Sequence, residues 1–148
     1  MSGSQKNGSK TAYDYDASGQ LSHLMFSKNS DTIYKARYQT NEKGNPEDII
    51  ITSLGNTLLH YNYDGLNRLT GNSCGPLIAE RTYVDGTNGT SNLVEMYTNR
   101  ISAGVFRQYE YVYDQNSNIT EIIEPLSAET TTYTYDGLNR LTGESGTN

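Results

Sequence analysis

The chain has 148 residues, enough for one domain or a piece of something longer, and it is 34% hydrophobic, with thirteen Tyr, two Phe and no Trp. A net charge of −6 with only eleven scattered Lys and Arg argues against a nucleic-acid partner, which needs a basic stripe. No apolar run approaches a membrane span, and the single cysteine, Cys74, forms neither an intramolecular disulfide nor a paired metal knuckle.

Residues 1–11, which include "MSGSQKNGSK", have no apolar h-region and read as a flexible leader or the scar of a fusion. From residue 12 a pattern begins. Tyr13 and Tyr15 alternate up to Asp16, Gly19 follows three residues later, and Leu21-Ser22 comes next. Alternation is the strand period, so both tyrosines face the same way. Asp-x-x-Gly is a type I turn with a left-handed residue at its end, a common hairpin connection with a bulge. A second unit runs through Tyr38 to Asn41 and Gly44. The third carries Tyr61, Tyr63, Asp64, Asn67, Arg68 and Leu69. A degenerate fourth places Thr82, Val84, Asp85 and Asn88 in the same columns, and its approach "PLIAERTY" resembles "PLSAETTTY" before the sixth. The fifth has Tyr111, Tyr113, Asp114, Ser117 and Ile119. The sixth has Tyr133, Tyr135, Asp136, Asn139, Arg140 and Leu141. The nonapeptide "YDGLNRLTG" occurs unchanged at 63–71 and 135–143.

The anchors 16, 41, 64, 85, 114 and 136 are spaced by 25, 23, 21, 29 and 22 residues, so six hairpins are expected over residues 12–144, with 145–148 as a tail. One such unit cannot stand alone, because two Tyr and a Leu return less than the backbone entropy of ordering it. The units should therefore lie side by side. The expectation is an all-β protein, a curved or spiralling antiparallel sheet. Its loops should be longest near Gly86–Asn92 and around the three prolines. Its open edges should seek partners, either further units of the same kind or another copy.

The candidate chemistry is thin. The recurring Asp16, Asp64, Asp85, Asp114 and Asp136 suit turns better than calcium, which needs converging oxygens. No metal site and no cofactor is implied. His23 lies in a return strand and His60 on the face opposite Tyr61, neither in a supporting catalytic motif, so no enzyme is expected. The tyrosine ladder reads as cross-strand packing. The alternative is a sugar-stacking surface using Tyr61, Tyr63, Tyr133 and Tyr135 with Arg68 and Arg140. Asn88 and Asn118 match glycan-acceptor patterns.

The motif, carried in full at Tyr61–Gly71 and Tyr133–Gly143 and closely at Tyr13–Ser22 and Tyr111–Thr120, resembles the signature of the Rhs, or YD-repeat, family. The resemblance covers about residues 12–144. It implies a large secreted or cell-surface parent, such as a polymorphic toxin, a toxin-complex subunit, a wall-associated protein or a teneurin. In these the repeats form a β-sheet that spirals into a hollow shell, to which carbohydrate binding has also been ascribed. The chain departs from complete toxin members in having no Asp-Pro, since its prolines follow Asn45, Gly75 and Glu124. Neither autoproteolysis nor a toxin domain carries over. The resemblance thus implies a non-catalytic scaffold segment, with a carbohydrate-binding module as the alternative.

Overall fold

A computed structural model of the chain describes residues 2–6, 8–86 and 89–147. The chain divides into two compact units, Met1–Gly75 and Pro76–Asn148. The first holds β1 (Ser2–Lys6), β2 (Ser9–Tyr15), β3 (Leu21–Lys28), β4 (Asp31–Thr40), β5 (Pro46–Ile51), a 3₁₀ turn (Thr52–Leu54), β6 (Thr57–Tyr63) and β7 (Leu69–Cys74). The second holds β8 (Leu77–Gly86), β9 (Gly89–Ile101), β10 (Gly104–Tyr113), β11 (Ile119–Glu124), β12 (Glu129–Tyr135) and β13 (Leu141–Thr147). Within each unit every strand pairs antiparallel with its neighbours in the chain, so each unit is an all-β meander. No described helix is long and apolar enough to cross a membrane.

The strand period assigns the faces. In the first unit Tyr13, Leu24, Ala36 and Ile51 stand in register across β2 to β5. Tyr38, Ile49, Leu59 and Cys74 make the next such row, half-buried throughout. The opposite face carries the row Asp14, His23, Arg37, Ile50 and Leu58. A single sheet layer covers neither face fully. Among the described residues only Ala36 (0% exposed) and Ala79 are buried hydrophobics, and no large side chain is wholly buried.

Five expectations need correction. The leader does not lie outside the sheet: β1 folds back on β2 through Gln5↔Lys10 and Lys6↔Ser9. Gly8, at φ +73°, turns the chain there, and ladder bonds need no apolar side chains. The tail likewise continues β13 to Thr147, which pairs with Thr130. The long loop near Gly86–Asn92 is absent, because β8 and β9 pair as far as Gly86↔Gly89 and leave only 87–88 between them. Asp85 is consequently a ladder residue opposite Thr90 rather than a turn anchor, and its expected partner Asn88 lies outside the described residues. The prolines do not lengthen loops either: Pro46 opens β5 and Pro125 sits in a four-residue connection.

Ala36 is the position where added volume has nowhere to go. Ala36→Leu is expected to cost about 1–3 kcal/mol by overpacking. Leu54→Ala, at 64% exposure, should stay within about 0.5 kcal/mol. Urea unfolding followed by circular dichroism reads both.

Candidate functional site: the repeat turns and their tyrosines

Five of the six anchors build one and the same turn. The N–H of the residue three positions on donates to the anchor carbonyl: Gly19 to Asp16, Gly44 to Asn41, Asn67 to Asp64, Ser117 to Asp114 and Asn139 to Asp136, at 2.9–3.1 Å. Each anchor N–H in turn donates to the carbonyl four residues on, as from Asp64 to Arg68 at 3.0 Å. The anchor side chain does the rest. Asp64 Oδ1 accepts the N–H groups of Leu66 and Arg68, both at 2.9 Å. Asp16, Asn41, Asp114 and Asp136 repeat this pair of bonds. An Asx turn of this kind needs a short acceptor side chain, which is why Asp or Asn stands there.

The third residue after the anchor must be left-handed. Gly19 and Gly44 take φ +84° and +83°, while Asn67, Ser117 and Asn139 take +70°, +67° and +60°. Glycine and asparagine tolerate that region best. The bulge expected with the turn falls inside the return strand. Tyr63 pairs with Leu69 but Asn62 with Gly71, so Thr70 is the extra residue. Ser22, Glu47, Thr120 and Thr142 occupy the same place in the other hairpins. Thr120, the extra residue, donates its hydroxyl to Val112 O on the paired strand at 3.3 Å. The closing glycine of the nonapeptide has its own reason. A Cβ on Gly143 would lie 2.8 Å from Thr134 Oγ1, and Gly71 is buried opposite Asn62.

The tyrosine before the anchor reaches sideways. Tyr63 Oη donates to Pro46 O at 2.8 Å, Tyr113 Oη to Val94 O at 2.7 Å, and Tyr135 Oη to Ile119 O at 2.8 Å. Each acceptor belongs to the return strand of the preceding hairpin. Burial raises the phenol pKa of Tyr63 and of Tyr113, so both remain donors at neutral pH. Tyr15 is 57% exposed, and Tyr13 beside it is exposed too.

The turns also touch one another. Asn45 donates through its amide to Asn67 Oδ1, and Lys43 Nζ donates to Gly65 O at 3.0 Å. Asn116 and Asn118 both donate to Asn139 Oδ1 at 3.0 Å. An Asn in the left-handed place thus offers an acceptor to the turn before it, which a Gly cannot do. Asn118, the second glycan-acceptor match, spends its amide here and on Asp114 Oδ2.

The proposed sugar-stacking residues are therefore largely engaged within the sheet. Tyr63 and Tyr135 are hydroxyl donors to backbone, while Tyr61 and Tyr133 are half-buried opposite Asn72 and Glu144. Arg68 Nε and Arg140 Nε each donate to the carboxylate of their own anchor at 2.7 Å. Rings and cations do meet elsewhere, where sequence spacing offered no signal. Arg81 lies 5.0 Å from the ring centre of Tyr97, and Arg107 lies 5.7 Å from that of Tyr109. The histidines stay apart from the turns. His23 Nδ1 is 3.3 Å from Ser22 Oγ. His60 Nδ1 is 2.7 Å from Asp48 Oδ1 on the paired strand, and that bond raises its pKa above the usual imidazole value. Ser73 stands opposite His60 in the ladder, yet Nε2 meets Asn62 Oδ1 at 3.2 Å instead.

Hydrogen bonds to the charged form hold the anchor carboxyls below their ordinary pKa of 3.8. The leading donors are the Ser18 hydroxyl for Asp16, the Arg68 backbone for Asp64, the Asn118 side chain for Asp114 and the Arg140 backbone for Asp136. A depressed folded-state pKa contributes stability that is full above the unfolded value and lost as pH falls through the folded one. The thermal midpoint is therefore expected to drop as pH falls from about 5 to below 3. Replacing all four anchors by Asn should flatten that drop while leaving the sheet intact at pH 7, because Asn41 already holds such a turn. A second outcome concerns the hydroxyls. Tyr135→Phe and Tyr113→Phe should each cost about 1 kcal/mol, whereas Tyr15→Phe should cost under about 0.5 kcal/mol. Equal losses at all three positions in urea titrations would show that the hydroxyl bonds contribute nothing.

Comparison with known proteins agrees with this geometry. Residues 113–148 match the family model of the RHS Repeat. No curated protein matches the sequence. The crystal structure of TcdB2-TccC3 superposes with a TM-score of 0.74 at 21% identity over 92% of the chain. The crystal structure of TcdB2-TccC3-Cdc42 gives 0.73 at 20% over the same share. In each case the chain spans only 7% of the matched chain's length. Residues 113–148 therefore carry an RHS repeat, and the chain as a whole has the fold of a short segment of TcdB2-TccC3.

Proposed function

We propose that the chain is a non-catalytic structural segment of a larger Rhs-type protein, contributing consecutive hairpins to a YD shell, and that the parent is secreted or displayed at a cell surface. One observation carries this reading. The residues that define the motif are spent on their own turn and on the neighbouring hairpin, through Tyr hydroxyls and Asn amides. A motif used in this way serves lateral assembly, and its natural partner is more of the same array. The 7% span against TcdB2-TccC3 is in keeping with a much longer parent.

The test is sedimentation velocity on the chain beside its far-UV circular dichroism. A β-rich species that self-associates through its sheet edges is expected. A compact β-rich monomer whose tyrosine fluorescence responds to added glycans would overturn the shell reading in favour of a carbohydrate-binding module.

A further inference from the structure

The face of the first unit opposite the tyrosines holds a groove of about 530 Å³ with an apolar floor and a cationic rim. We propose that this groove binds a small organic carboxylate with an apolar body, a role independent of the shell reading. The floor is Ile50 and Leu58, adjacent in the ladder between β5 and β6, with Leu58 44% exposed. The rim comes from the neighbouring strands. Arg37 stands directly across from Ile50, His23 directly across from Arg37, and Lys35 is two residues from Arg37 on the same face. Asn56 adds a neutral polar group. No carboxylate lines the groove; Asp14, across from His23, and Asp48, two residues from Ile50 on the same face and bonded to His60, flank it.

Arg37 is exceptional within the molecule. Of the six arginines, Arg68, Arg100, Arg107 and Arg140 are paired with acids, and Arg81 lies over Tyr97. Among the described residues neither the Arg37 guanidinium nor the Lys35 ammonium has an ion-pair, hydrogen-bond or ring partner. In a chain of net charge −6, two unpaired cations and an imidazole share one patch, which favours an anionic ligand there. A guanidinium fork accommodates a carboxylate with two parallel bonds. A bare anion would satisfy the rim and leave the floor wet, whereas an alkane would do the reverse. A carboxylate with a short hydrocarbon body satisfies both, and the groove lies within the usual size range of ligand sites.

The experiment is calorimetric titration of the full chain with sodium hexanoate, with acetate and hexan-1-ol as the tail-less and charge-less controls. Saturable one-to-one hexanoate binding is expected, roughly tenfold or more tighter than either control. About 0.5 M salt and Arg37→Gln should each weaken it roughly tenfold, while Arg37→Lys should retain part of it. Leu58→Asn should weaken hexanoate and leave acetate unchanged. Far-UV circular dichroism checks that each variant is folded, and Lys35→Gln gives the charge test again if Arg37→Gln is not. Hexanoate bound no tighter than hexan-1-ol, or unaffected by salt and by removal of the rim charges, overturns the proposal.

Discussion

Five of the six hairpins rest on one side-chain oxygen. Oδ1 of an Asp or Asn accepts two backbone N–H groups, two and four residues ahead, and so reverses the chain within five residues. The left-handed residue, the bulge on the return strand and the placing of the preceding tyrosine all follow from that reversal. Asn41 shows that the acceptor matters more than its charge, since a neutral amide oxygen makes the same two bonds. The carboxylates at the other anchors add a pH dependence, and at Asp64 and Asp136 an arginine partner.

Lateral bonding replaces the usual core. A sheet one layer thick buries only small residues such as Ala36, so hydrophobic burial is shared thinly along the half-covered tyrosine face. The hydroxyls of Tyr63, Tyr113 and Tyr135 span sequence separations of 16–19 residues, and the asparagine bridges span 21–23. These links set the third hairpin against the second, the fifth against the fourth and the sixth against the fifth. They also account for Asn in place of Gly at Asn67 and Asn139, where the side chain serves the preceding turn while the backbone is left-handed.

Local chemistry was legible and pairing register was not. Tyr13, Tyr61, Tyr111 and Tyr133 lie on strands with their companions two residues on, because alternation with period two admits few other readings. Asp85 matched its column yet sits in a ladder, because a column match carries no information about how far a hairpin extends. Ser2–Lys6 looked unstructured because it is polar, but a strand edge pairs through backbone groups whatever the side chains are. The groove around Arg37 left no trace in spacing at all, since its parts come from four strands.

The sequence by itself determined five of the six anchor turns, the left-handed residue in each of those five, and the all-β meander. Those properties depend on contacts within about five residues, where side-chain type decides the outcome. Tertiary structure decided which carbonyl each tyrosine reaches, which face is cationic, and how differently identical segments are treated. Arg68 and Arg140 occupy the same place in the same nonapeptide, and their side chains are 12% and 73% exposed. The nine letters specify the same turn twice. The surroundings of that turn come from strands distant in sequence, and nothing within the nine letters encodes them.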